Sequence, residues 1–249
     1  MAGPGWRNTI ECNLSVCSRL PGSQITAVLS GVFSMKKTRT NALQQLVVYL
    51  ACLLIFRVTL SVILIYRDYL PPNFDSDFLR GRQRYFFGSY QWAFYVHIAT
   101  GPCSLVLGMF LMSEQFRLRF RRWHRCLGRI QTAVILLLLT PSGLWMAFYA
   151  ETGVIAGTGF AALAVATGVC TSLGWRSAVK RQFIEHRRWM WRCFILLCSA
   201  VVQRVMGGLG TTAGIEGEWA YQLASWSSWL LPLAVFEVTQ LTKYSPSRG

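Results

Sequence analysis

The chain has 249 residues, of which 53% are hydrophobic and only 14% charged, too few to cover a soluble domain, where about 25% is usual. Its net charge of +15, from 25 Lys+Arg against 10 Asp+Glu, would suggest nucleic acid on a soluble surface. Here the basic residues sit in short clusters between long apolar runs, the pattern of membrane-protein loops, so composition argues against nucleic acid and for the lipid bilayer as partner.

In chain order, residues 1–41 read as an extension without fold. They lack the apolar core of a signal peptide, and Met35-Lys36-Lys37-Thr38-Arg39 has the form of a membrane-protein start. Residues 42–242 form the expected transmembrane domain, and 243–249 a short tail. A membrane-spanning helix needs about 20 apolar residues. Six segments meet that need: 42–66, 90–112, 126–150, 153–175, the shorter 189–206, and 219–241. In hydrocarbon only helices of this length satisfy their own backbone, so the expected fold is an all-α polytopic bundle of about six spans. Pro102 and Pro141 should kink the second and third helices. The fourth carries Gly153-xxx-Gly157, a spacing that permits close helix approach and is read here as packing within one bundle.

Loop charge sets the orientation. Lys36, Lys37 and Arg39, the run from Arg117 to Arg125, the run from Arg176 to Arg188, and Lys243 with Arg248 all fall on one side of six spans. That side should be cytoplasmic, which places the chain in the cell's inner (cytoplasmic) membrane with both termini in the cytoplasm. Trp92, Trp175, Trp189, Trp191, Trp219 and Trp229 fall near span ends, as interfacial anchors do. Cys52, Cys103, Cys126, Cys170, Cys193 and Cys198 lie in or beside apolar runs without a CxxC, and read as small buried apolar residues; Cys12 and Cys17 lie in the extension.

Ionisable side chains inside a span are costly and mark function by default. Arg57 and Arg204 each lie about 22 Å along their helices, and His97 about 10 Å from its helix start. All three should arrive at one depth in the outer half, where two arginines and a histidine could hold an anion or form a hydrogen-bond network that fixes helix packing, with the arginine heads reaching the interface. At the inner end His124 and His186 open two helices in matching His-Arg settings, and Glu237 approaches the same level. Imidazoles ligate haem iron, zinc and copper, so His124 and His186, with Glu237, read either as a metal or proton-relay group or as partly solvated interface residues among arginines that bind lipid phosphates.

Several of these residues also carry a resemblance. His97-Ile98-xx-Gly101, Gly108, Arg117, His124-Arg125-xx-Gly128-Arg129 and His186-Arg187-Arg188-Trp189-Met190-x-Arg192, with Arg204, are similar to the bacterial membrane family called domain of unknown function 2306. Where that family has Pro-Asn in its last helix, this chain has Pro232-Leu233, with Glu237 retained. The resemblance implies a multi-span membrane protein without an established activity. At the level of fold alone the chain also looks distantly like the transmembrane cytochromes b.

The leading functional expectation is a redox module in which His97, His124, His186, Arg57, Arg204 and Glu237 hold a cofactor, either haem b or a metal ion, with a quinone or another redox partner. The inner pair alone could share one iron, and His97 would need a further ligand such as Met146 or Met206. One alternative is a transporter for an anionic or small substrate; another is a scaffold without chemistry. No soluble-enzyme motif is present, and neither enzymatic activity nor oligomeric state is assigned.

Overall fold

The computed structural model describes residues 42–76, 78–215 and 217–244. The expected extension with Met35, the basic residues Lys36, Lys37, Arg39 and Arg248, and Glu216 lie outside the described residues. The chain divides into Met1–Leu50 and Ala51–Gly249; of the first unit only the opening turns of α1 are described.

The described residues are helical throughout apart from short links. The long helices are α1 (Ala42–Ile65), α3 (Ser89–Met112), α5 (Arg121–Val134), α7 (Val154–Val179), α8 (Phe183–Thr212) and α9 (Glu218–Tyr244). Between them lie the short α2 (Gln83–Phe86), α4 (Glu114–Arg119) and α6 (Thr140–Ala147). Five helical stretches among the described residues are long and apolar enough to cross a membrane: Val48–Asp68, Ser89–Met112, Arg121–Ala147, Val154–Val179 and Phe183–Thr212. Helix α9, at 27 residues, extends about 40 Å, more than the hydrocarbon thickness of about 30 Å. Gln222, Ser225, Ser227, Ser228 and Gln240 lower its hydropathy.

Helix α7 is the hub, packing against α6, α8 and α9. Its buried residues are Ala156, Gly159, Ala164, Thr167, Gly168, Cys170, Thr171, Gly174 and Ser177, all small. Lipid tails are as apolar as leucine, so helices in a bilayer gain by close contact between backbones, which small residues allow. Within the Gly153-xxx-Gly157 spacing only Gly157 serves this purpose. A Cβ there would lie 2.7 Å from the Ala147 carbonyl oxygen, whereas Gly153 has open space around it and caps the helix at φ +80°. Because a backbone atom cannot step aside, Gly157→Val should destabilise the fold by about 1–3 kcal/mol, read as a lower melting temperature in detergent.

Two clusters form the core. Ile135, Leu139, Cys170, Cys193, Leu196 and Trp229 pack at mid-bundle. Trp229 is thus buried by its neighbours rather than an interfacial anchor, while Trp92 and Trp219 remain exposed. Cys170 and Cys193 are buried as expected, but Cys103 and Cys126 are exposed on the bundle surface. The second cluster is aromatic. Tyr69, Leu79, Phe86, Tyr90 and Phe94 pack with Phe74, Phe78, Tyr85 and Tyr149 around them. It joins the start of α3 to the segment after α1, whose Leu70-Pro71-Pro72-Asn73-Phe74 stretch reads from the sequence as a loop. That segment folds instead into a cap over one end of the bundle, with Leu79 and Phe86 fully buried. The end away from the cap carries the Arg117–Arg129 and Arg176–Arg188 runs.

Candidate functional site

The rod from Arg121 to Ala147 is interrupted by a π-helical turn, Ile135–Leu139. Pro141 explains it: proline lacks the N–H that would bond to the carbonyl four residues back, and a wider turn absorbs the defect. The expected kink is therefore a π turn. Ser142, just beyond it, donates to the Leu138 carbonyl at 2.6 Å, with Leu139 O at 3.1 Å. Its oxygen lies 3.3 Å from His97 Nδ1. The serine proton is committed to a carbonyl, so the serine presents a lone pair and Nδ1 is the protonated nitrogen. That leaves the Nε2 lone pair of His97 without a hydrogen-bond partner among the described residues. Gly143 makes the room: a Cβ there would stand 3.2 Å from His97 Cε1.

His97 lines a cavity of about 340 Å³ beneath the cap. Its walls are mostly apolar and aromatic, drawn from α1, the cap, α3, α6, α7 and α8, and include Phe94, Leu105, Leu139, Met146 and Phe160. The polar lining is sparse. Arg204 contributes from α8 and Arg82 from the cap, together with Gln203, Tyr66, Tyr221, Thr59 and Thr140. Arg204 is exposed at the cavity edge and makes one hydrogen bond among the described residues, from Nη1 to the Ala200 carbonyl at 3.1 Å. Its charge acts on both His97 and Tyr66. The Thr59 hydroxyl, on a side chain 5% exposed, has no partner among the described residues, and neither has that of Thr140. A buried hydroxyl without a partner costs free energy unless a ligand or water completes it.

Of the three residues expected at this depth, His97 and Arg204 thus share one cavity. Arg57 does not join them. Val58, Thr59 and Val62 line the cavity, and Arg57, about 100° around the helix from Val58, is exposed on the outside.

Arg82 is the residue that sequence reasoning missed. It lies between the first two spans, where an arginine reads from the sequence as a solvated loop charge, yet it is only 5% exposed. Its Nε donates to the Phe78 carbonyl at 2.6 Å, and Nη1 reaches the Tyr149 carbonyl at 3.0 Å and the Tyr85 and Tyr90 hydroxyls at 3.3 Å. Glu151 lies 3.5 Å from Nη2, and the guanidinium sits over the Phe78 ring at 4.4 Å. The only local signal is the Phe78, Arg82, Tyr85 spacing, one face of a helical turn.

At the other end His186 Nδ1 donates to the Gly174 carbonyl at 2.8 Å. His124 Nδ1 is buried without a partner, and the two rings interact electrostatically. Glu237 does not join them. It is held by Arg192, whose Nε and Nη2 form a fork on its two carboxylate oxygens at 2.5 and 2.9 Å. Trp189 lies beneath the guanidinium at 4.5 Å. The fork matches carboxylate geometry, which explains why Glu237 pairs with arginine rather than facing the histidines. No group of three or more His, Cys, Asp or Glu among the described residues is arranged to hold a metal. With Glu237 partly exposed, Glu237→Ala should cost only about 1 kcal/mol of stability, measurable against Arg192→Ala in a double-mutant cycle.

Comparison with known proteins gives one match. The model of the family described as predicted membrane protein (DUF2306) matches residues 94–239. That span contains His97, His124, His186, Arg192, Arg204 and Glu237, and leaves out Arg57 and Arg82. No curated protein and no solved structure matches.

Proposed function

The chain belongs to the DUF2306 family of predicted membrane proteins, and on that premise we propose that it is a membrane-embedded binding module for a flat, mostly apolar molecule with oxygen substituents, the class that includes quinones. The observation that carries this reading is the cavity of about 340 Å³, in which His97 offers a free lone pair and Arg204 unused donors amid aromatic walls. Ligand sites are typically apolar clefts of about 300–1,000 Å³ with a few placed polar groups. His97 Nε2 would accept from a hydroxyl, as in a reduced quinone, and Arg204 and the hydroxyls of Thr59 and Thr140 would donate to oxygens. In the same reading the chain crosses a cytoplasmic membrane six times with its basic end inward, and α9 supplies the sixth crossing.

Haem b is the second reading, favoured because Met146 lines the same cavity as His97 and both side chains are known axial ligand types. A transporter for an anionic substrate would rely on Arg204, since Arg82 in the same lining is engaged with protein acceptors. Two measurements on detergent-purified protein separate these. A short-chain benzoquinone at about 100 times its Kd would stabilise the fold by about 2.7 kcal/mol, a rise of about 5–10 °C in melting temperature for a chain of this size. A Soret band lost in His97→Ala would assign haem instead. A colourless protein from haem-replete cells that no quinone stabilises overturns both, and stabilisation by small anions alone would then favour transport.

A further inference from the structure

Helix α5 presents two unlike faces. His124, Leu127, Gly128 and Gln131, at helical spacing, turn inward and are at least partly buried, with Gln131 Nε2 donating to the Ser104 carbonyl at 2.7 Å. Arg122, Arg125, Cys126, Arg129 and Ile130 turn outward; all are exposed and together line one groove. On a soluble protein such a basic face would simply be solvated. Here the helix is the start of a membrane-spanning stretch, Arg121–Ala147.

Length locates the face in the bilayer. The stretch of 27 residues extends about 40 Å against a hydrocarbon thickness of about 30 Å. A surplus of about 10 Å therefore stands in the headgroup layer. It falls at the arginine-rich end, because from Ile130 to Ala147 the stretch contains no charged residue. Arg122, Arg125 and Arg129 thus climb one helix face over about 10 Å, from the aqueous edge to the hydrocarbon boundary. Helical side chains lean toward the N-terminus, which carries the Arg129 guanidinium back up to phosphate level. None of the three arginines forms an ion pair among the described residues.

We propose that this face is a binding site for the phosphate-bearing headgroup of an anionic phospholipid, with Arg122, Arg125 and Arg129 clasping the phosphate oxygens and Ile130 meeting the acyl chain. Charge complementarity selects an anion. Depth selects a lipid over a soluble phosphate, because Arg129 and Ile130 lie where only a membrane-anchored anion stays in place. Arginine suits the role because its planar fork binds phosphate oxygens in pairs.

The test uses the full chain in mild detergent, titrated separately with phosphatidylglycerol, phosphatidylcholine and inorganic phosphate, with melting temperature and native mass spectrometry as readouts. Phosphatidylglycerol should raise the melting temperature by about 4 °C or more and remain as a bound adduct, while the other two do neither. Arg122→Gln/Arg125→Gln/Arg129→Gln should lose both effects, and Arg84→Gln, in the cap segment, should keep them. Should the triple variant fail to fold, Arg129→Gln alone should weaken adduct retention at least fivefold. Equal stabilisation by inorganic phosphate, or unchanged lipid retention in the arginine variants, overturns the proposal.

Discussion

Arg82→Leu should abolish or nearly abolish accumulation of the folded protein. The substitution removes the donors that satisfy two carbonyls, Phe78 and Tyr149, and two tyrosine hydroxyls, and leaves buried acceptors without partners. Hydrogen bonds made by a charged donor contribute about 1.5–3 kcal/mol each, so the combined loss should be on the order of 3–5 kcal/mol, with the lost ring contact to Phe78 in addition. A membrane protein with ordinary marginal stability does not survive that. Arg82→Lys should rescue only in part, since one ammonium cannot address carbonyls on both sides of the cap. Fluorescence-detected size exclusion and thermal unfolding would read both variants. If Arg82→Leu purified at wild-type levels and melted within about 2 °C of wild type, the cap would not be held by this guanidinium.

His97→Ala should behave in the opposite way, costing binding and sparing the fold. The imidazole is held by Ser142 and by the Leu139 carbonyl, and Ser142 keeps its own carbonyl bonds without it. Its removal should leave the melting temperature within a few degrees. For a ligand in the cavity, leaving its hydroxyl unpaired costs about 1–3 kcal/mol and weakens affinity about 5- to 150-fold. Gly143→Ala offers a gentler version, since the added methyl presses on the ring at 3.2 Å and should weaken binding while Nε2 remains present. Unchanged affinity in both variants would remove His97 from the site.

The two predictions differ in how far the sequence foresaw them. His97 and Arg204 stood out because ionisable groups deep in apolar runs are conspicuous, and counting residues at a fixed rise gave both similar depths. The same count gave that depth to Arg57, and there it failed, because depth along a helix says nothing about rotation around it. Val58 faces the cavity and Arg57 does not. Arg82 was invisible for a different reason. It lies between spans, where an arginine ordinarily marks solvent, and only the folding of residues 69–76 and 78–88 over the bundle buries it.

Glu237 teaches a related lesson. Its level near His124 and His186 was legible, but its partner was not, since Arg192 on α8 stands opposite α9 only once the two helices have packed. Trp229 was read from its place near a span end and proved to be core.

What the amino-acid order alone determined is residence and class: long apolar stretches in a charge-poor chain belong in hydrocarbon, and there the backbone has no choice but to form helices. What only the assembled bundle decided is which face each helix turns toward its neighbours. Small residues such as those along α7 set that rotation by letting backbones touch, and rotation in turn chooses which few polar side chains meet in one cavity.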